Sequence, residues 1–115
     1  MVASADAFSK LEQELRRGAI VLAALSQLKT AQYGYSLRQD LAARGMEIEE
    51  GTLYPLLRRL EAQGVLVSEW RMKDGPPRRY YALSAEGKQL YQKLSNSWRA
   101  LGAVLNDLIG DGATQ

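Results

Sequence analysis

The residues best equipped for chemistry in this chain are cations and hydroxyls in its middle third. Arg71, Lys73, Arg78 and Arg79 flank the run Asp74-Gly75-Pro76-Pro77, and Arg58 and Arg59 follow shortly after Thr52 and Tyr54. A guanidinium forks onto a phosphate or onto a guanine edge, and Thr and Tyr hydroxyls bond phosphates or base edges. Residues 52–81 carry six basic side chains against three acidic, a sum of +3, whereas residues 1–51 carry six against seven, a sum of −1. The local excess suggests an anionic partner; the overall charge of +2 alone would describe only a solvated surface.

Other chemistries are closed off by composition. The chain has 115 residues, no His and no Cys. It therefore has no Ser-His-Asp triad, no thiolate nucleophile and no Cys-ligated zinc or iron-sulfur site. An enzyme would need paired carboxylates, and the cluster Glu47, Glu49, Glu50 reads instead as the acidic start of a helix. No catalytic residue, metal or cofactor is expected. The length suits one domain, and 46% hydrophobic with 24% charged residues describes a folded, soluble one. No stretch approaches the roughly 20 apolar residues of a membrane span, and Met1 to Lys10 lacks the layout of a signal peptide. The expectation is a cytoplasmic, non-catalytic domain without a membrane partner.

The elements that must position the cations follow from periodicity. Phe8, Leu11, Leu15, Leu22, Leu25 and Leu28 share one face of a helix predicted over about 8–28, with Gly18 marking a bend or close packing. Thr30 to Tyr33 breaks the pattern. A second helix is predicted over about 35–44, with Leu37 and Leu41 inward and Gly45 as its stop. A third begins near Glu50, carries Leu53, Leu56, Leu57 and Leu60 as its apolar stripe, and ends at Gly64, with Pro55 expected in the first turn. The period then becomes two: Leu66, Ser68, Trp70 and Met72 alternate with Val65, Val67, Glu69 and Arg71, so residues 65–83 form a hairpin around the Gly-Pro-Pro turn. Ser84 caps a last helix reaching about Ile109, and Gly110 to Gln115 is a frayed tail.

Three helices and a hairpin describe a mainly α (α+β) fold, a winged helix-turn-helix domain over 8–83, followed by a dimerisation helix over 84–109. In such a fold the N-terminal end of the third helix reaches base edges in the major groove. The stiff, cationic hairpin tip can neutralise phosphates as a wing. Leu90, Leu94, Trp98, Leu101, Leu105 and Leu108 form a seam on the last helix that a second copy of the chain would cover. Each feature has a plainer counterpart. Arg58 and Arg59 can be a solvated helix face and Tyr54 a core residue. The hairpin can be an ordinary charged one, the last helix can fold back on its own domain, and Trp98 can be a packing aromatic rather than the wall of a ligand site. A winged-helix module that binds proteins and never DNA is the alternative function.

Five blocks resemble the PadR family of bacterial transcriptional regulators: Glu14-Leu-Arg-Arg-Gly18, Tyr33-Gly-Tyr35, Gly51-Thr-Leu-Tyr-Pro-Leu-Leu-Arg-Arg-Leu-Glu61, Gly75-Pro-Pro-Arg-Arg-Tyr-Tyr81, and Leu83-Ser84 with Gly87. The resemblance covers about residues 14–108 and is closest to the compact members with a single C-terminal helix. It implies a homodimeric repressor on an inverted-repeat operator. Residues 50–61 would be the recognition helix, with Glu50, Thr52, Leu53, Tyr54, Arg58 and Arg59 at the DNA. Residues 71–80 would be the wing, with Lys73, Gly75, Pro76, Pro77, Arg78 and Arg79. Tyr35 and Ser36 would lie near the phosphate backbone. The first and last helices would build the dimer, and Trp98 stands where compact members stack planar drugs, which implies a small aromatic effector. Gly102-Ala103, one turn on, fits either an open pore or close helix packing, and no larger effector domain follows Ile109.

Overall fold

The computed structural model describes residues 4–110. Seven elements follow in order: α1 (Ser4–Ser26), β1 (Gln32–Tyr33), α2 (Gly34–Ala43), α3 (Glu50–Ala62), β2 (Leu66–Arg71), β3 (Arg78–Leu83) and α4 (Ala85–Ile109). The tail expected after Gly110 lies outside the described residues. This is a mainly helical fold with one small antiparallel sheet.

α1 begins earlier than its apolar pattern suggests and stops at Ser26. Gln27 N–H donates to the Ala24 carbonyl and Leu28 N–H to that of Leu25, so the last turn tightens to i→i+3 bonds. Leu28 thereby stays on the apolar face without being helical. That face divides in two along its length: Leu25 and Leu28 are buried, whereas Phe8, Leu11 and Leu15 project past the core into solvent.

β1 has no counterpart in the sequence pattern. Its two residues are too few for a period, but Gln32 pairs with Tyr81 and Tyr33 with Tyr80, giving a three-stranded sheet ordered β1-β3-β2. α2 buries Leu37 and Leu41 and ends as expected: Gly45 adopts φ 97°, and Met46 N–H returns to the Leu41 carbonyl at 2.8 Å.

α3 buries Leu53, Leu56, Leu57 and Leu60. Pro55 is not in its first turn. The helix already starts at Glu50, so the proline falls in the second turn and removes one backbone bond that would have reached Gly51. Burial of the four leucines, each worth roughly 1.5–3 kcal/mol, outweighs that loss.

The hairpin runs in register from Leu66 opposite Leu83 to Arg71 opposite Arg78. Burial falls along β2 toward the tip: Leu66 is buried, Ser68 half-buried, and Trp70 and Met72 exposed. The hairpin thus leaves the core as it extends. At the tip Asp74 (φ 42°) and Gly75 (φ 131°) take conformations available to few residues, so the turn's shape is fixed by its sequence. Ser84 caps α4 as expected, its hydroxyl accepting from Gly87 N–H at 2.9 Å.

The core lies between the inner ends of α1 and α3, α2 and the sheet. Leu25, Leu28, Leu37, Leu53, Leu57 and Leu66 are its largest fully enclosed side chains.

Candidate nucleic-acid interface

The leucine stripe of α3 turns its other side outward. Gly51, Thr52, Pro55, Arg58 and Arg59 are exposed along one face of the helix. Leu53, expected at the DNA, is instead part of the core: at 0% exposure its side chain offers no surface to a partner. Glu50 is exposed, and its carboxylate lies 3.6 Å from the Arg38 guanidinium across the helix turn. Arg38 Nε also donates to the Ile48 carbonyl at 3.0 Å. This arginine, to which periodicity gave no role, fixes the turn between α2 and α3.

Tyr54 is half-buried, with its ring against Gly34 at the start of α2. Burial pushes its phenol above the ordinary range, and the Glu50 carboxylate pushes it further. The hydroxyl therefore keeps its proton and can donate. Tyr35 is exposed, its ring 6.5 Å from that of Tyr33 and its hydroxyl accepting from Gln39 Nε2 at 2.8 Å. Ser36 is committed inward: its hydroxyl lies 3.1 Å from both Gln32 Oε1 and the Tyr33 carbonyl.

The wing cations separate into two kinds. Arg71 Nε pairs with Glu69 at 2.7 Å and its guanidinium sits 4.4 Å from the centre of the Tyr80 ring. Arg79 pairs with Glu61 on α3 at 3.0 Å. Lys73 and Arg78 form no ion pair among the described residues, and Arg78 rests 4.7 Å over the ring of Tyr33. Arg58 and Arg59 likewise form no ion pair among the described residues. Of the cations on these two elements, the unpaired ones therefore lie on the outward side of α3 and on the wing.

A groove of about 450 Å³ runs between these two elements. It brings together Tyr35, Tyr54, Arg58, Pro77, Arg78 and Arg79 of the expected set. Lys73, Gly75 and Pro76 lie beyond it on the exposed tip, and Thr52 lies in a separate cleft with Arg16, Arg17, Glu47 and Glu49. Tyr33, Gly34, Leu57, Trp70 and Tyr81 complete the groove. Trp70, 65% exposed, has no site role in the sequence pattern, which places it only on the strand face of Leu66 and Ser68. Aromatic faces and free guanidinium groups lining one groove suit a polyanion with stackable or apolar edges.

The sequence profile of the transcriptional regulator PadR-like family matches residues 21–93, more than half the chain and all of this surface up to the first turns of α4. The chain belongs to the PadR-like family. It is accordingly a DNA-binding winged-helix transcriptional regulator, in a family that is not enzymatic. It is 37% identical to the transcriptional regulator Rv3488 of Mycobacterium tuberculosis over 85% of this chain and 90% of that one. It is 42% identical to a PadR family transcriptional regulator of Eggerthella lenta of known crystal structure, which superposes with a TM-score of 0.88 over 95% of this chain and 97% of that one. A PadR family regulator of Clostridium difficile superposes with a TM-score of 0.73 at 31% identity, over 79% of this chain and 98% of that one.

A second surface of this PadR-like regulator is apolar. Leu90, Leu94, Trp98, Leu101, Leu105 and Leu108 on α4 are all exposed, Trp98 at 49%, beside the exposed Phe8, Leu11 and Leu15 of α1. The last helix thus does not cover its seam with its own domain. A cleft of about 440 Å³ between α1 and α4 is lined by Leu15, Gly18, Leu22, Leu94, Trp98 and Leu101. On the other side of Trp98 a cleft of about 320 Å³ includes Ser26, Met46, Tyr91 and Arg99. A Cβ on Gly18 or Gly102 would meet nothing within 4 Å among the described residues, so neither glycine is required by packing there. Among the described residues no helix is long and apolar enough to cross a membrane.

Proposed function

We propose that this PadR-like regulator is a homodimeric repressor of an inverted-repeat operator. In this reading residues 8–83 form the DNA-binding unit and residues 84–109 the dimerisation helix. α3 enters the major groove with Thr52, Tyr54, Arg58 and Arg59 toward base edges and phosphates, while Lys73 and Arg78 neutralise flanking phosphates from the wing. Gly75, Pro76 and Pro77 keep the tip rigid and close to the backbone. Tyr35 supplies a hydroxyl beside the same backbone, and Ser36 supports it through the α2 start.

The observation that carries the proposal is the groove between α3 and the wing, where Arg58 of the helix and Arg78 of the wing, neither in an ion pair among the described residues, face one space. The dimer is supported by the exposed α1 and α4 leucines. So long an apolar surface is rarely left to solvent, and glycines that no packing among the described residues requires allow close approach of another protomer. A two-fold pair would set two recognition helices about one DNA turn apart.

Repression would be relieved by a planar aromatic effector at Trp98, a reading supported by the clefts on either side of that ring. Such a ligand must bind one dimer geometry better than the other. Selection of duplexes from a randomised pool tests the core proposal. The expected product is an inverted repeat with half-sites spaced by about one helical turn. A selected half-site without a symmetric mate, or no enrichment, overturns it. Quenching of Trp98 in a Trp70→Phe variant by planar aromatics, with loss of operator binding, tests the effector; unchanged affinity across the panel contradicts it.

A further inference from the structure

Arg78 and Arg79 are neighbours on β3, yet their side chains have different surroundings. Arg78 is exposed and free of any carboxylate among the described residues. Arg79 Nη2 donates to Glu61 Oε1 at 3.0 Å, and its Nε donates to Ser68 Oγ at 3.0 Å. Ser68 Oγ in turn donates to Glu61 Oε2 at 2.6 Å. Three bonds thus close a ring whose members come from α3, β2 and β3. The Arg79 guanidinium also lies 5.7 Å from the centre of the Trp70 ring and 5.8 Å from that of Tyr81.

We propose that Glu61, Ser68 and Arg79 form a brace that sets the angle between the recognition helix and the wing, and that Arg79 is a positioning residue, not a phosphate ligand. The inference rests on the reading that α3 and the wing grip one duplex together. Glu61 lies in the last turn of α3, next to the short turn that leads into β2. The brace grips the middle of the hairpin, whose tip at Asp74 and Gly75 lies about six residues beyond Ser68 and about four before Arg79, roughly 13–20 Å at strand rise. A rotation of about 10° there would carry the tip roughly 2–3 Å, the scale of a hydrogen bond. A forked guanidinium between two acceptors resists that rotation, because both bonds keep their geometry at one orientation only.

The sign of one substitution separates bracing from charge. Glu61→Gln removes a negative charge beside the DNA surface, so electrostatics alone would strengthen binding to every duplex. The brace predicts the opposite for the sequence that the wild-type protein selects from a randomised duplex pool. Affinity for that duplex falls by roughly fivefold to tenfold, while affinity for an unrelated duplex of equal length is kept or rises. Arg79→Lys keeps the charge but loses the fork, and should weaken the selected duplex with an unchanged salt slope. Ser68→Ala is the milder probe, should Glu61→Gln not fold by circular dichroism, and should move affinity in the same direction. Selected-duplex affinity equal to or above wild type in Glu61→Gln, or unaffected by Arg79→Lys and Ser68→Ala, overturns the brace while leaving DNA recognition standing. Failure of the wild-type protein to enrich any sequence overturns DNA recognition and the brace with it.

Discussion

Gly34 stands against the ring of Tyr54 so closely that a Cβ there would lie 2.7 Å from Tyr54 Cε1 and 3.1 Å from Cδ1. The start of α2 is packed directly on α3, and the contact admits no methyl group without displacing the ring. Gly34→Ala must displace the tyrosine ring or the first turn of α2. Overpacking of this kind costs about 1–3 kcal/mol. The expected result is a lower melting temperature and operator binding weakened more than by Tyr54→Phe, which leaves the ring in place. Wild-type melting and affinity in Gly34→Ala would contradict this tight packing.

The Tyr54 phenol has a consequence at high pH. A phenol whose folded pKa is raised holds its proton longer than the unfolded chain does, so folding stability falls as pH rises above the unfolded value of about 10. Tyr54→Phe has no such proton to lose. Its stability should decline less steeply on the alkaline side, read as denaturant midpoint against pH. Parallel alkaline limbs for the two proteins would contradict the assignment of burial and Glu50 as the cause.

Leu101→Asp introduces a carboxylate into the middle of the α4 seam. If the seam is covered by a second copy, the charge must be desolvated or the dimer abandoned. Sedimentation should give the monomer mass at concentrations where the wild-type chain is dimeric, with helix content kept. Trp98→Ala should loosen the dimer less, by roughly the 1.5–3 kcal/mol of a large apolar side chain. An unchanged mass for Leu101→Asp would mean that α4 is covered in some other way.

Arg78→Ala removes a cation that has no carboxylate partner among the described residues. It should weaken specific and unrelated duplexes alike and reduce the salt slope by about 0.9 for each phosphate that Arg78 neutralises. Arg79→Lys should leave that slope alone. Equal effects of the two substitutions on the slope would contradict the distinction between the neighbours.

The helices are legible in the sequence wherever apolar residues recur on a buried face. Leu37 with Leu41, and Leu53 with Leu56, Leu57 and Leu60, lie inward as their spacing requires. The same rule misleads where a face outruns the core. Phe8, Leu11 and Leu15 continue the stripe of Leu25 and Leu28 but face solvent, because periodicity reports a face and not what covers it. Trp70 shows the same limit on a strand: it shares the face of buried Leu66, but the wing has left the core at that point. β1 is invisible to pattern because two residues carry no period, and its pairing depends on Tyr80 and Tyr81, almost fifty positions away. Among the candidate site residues, composition identifies cations but not their partners. Only the fold brings Glu61 to Arg79 and leaves Arg78 free, and only the fold encloses Leu53.

Binding of the DNA upstream of this protein's own gene, titrated in salt with an unrelated duplex as competitor, is the most direct test. In the proposed dimer, Arg58, Arg59, Lys73 and Arg78 from each of two protomers would give up to eight phosphate contacts. The expected slope of log affinity against log salt is then roughly −7, a decrease of about 10⁴ between about 50 and 200 mM, with binding that resists the competitor. A shallow slope with equal affinity for both duplexes would contradict a dimer that grips specific DNA through α3 and the wing.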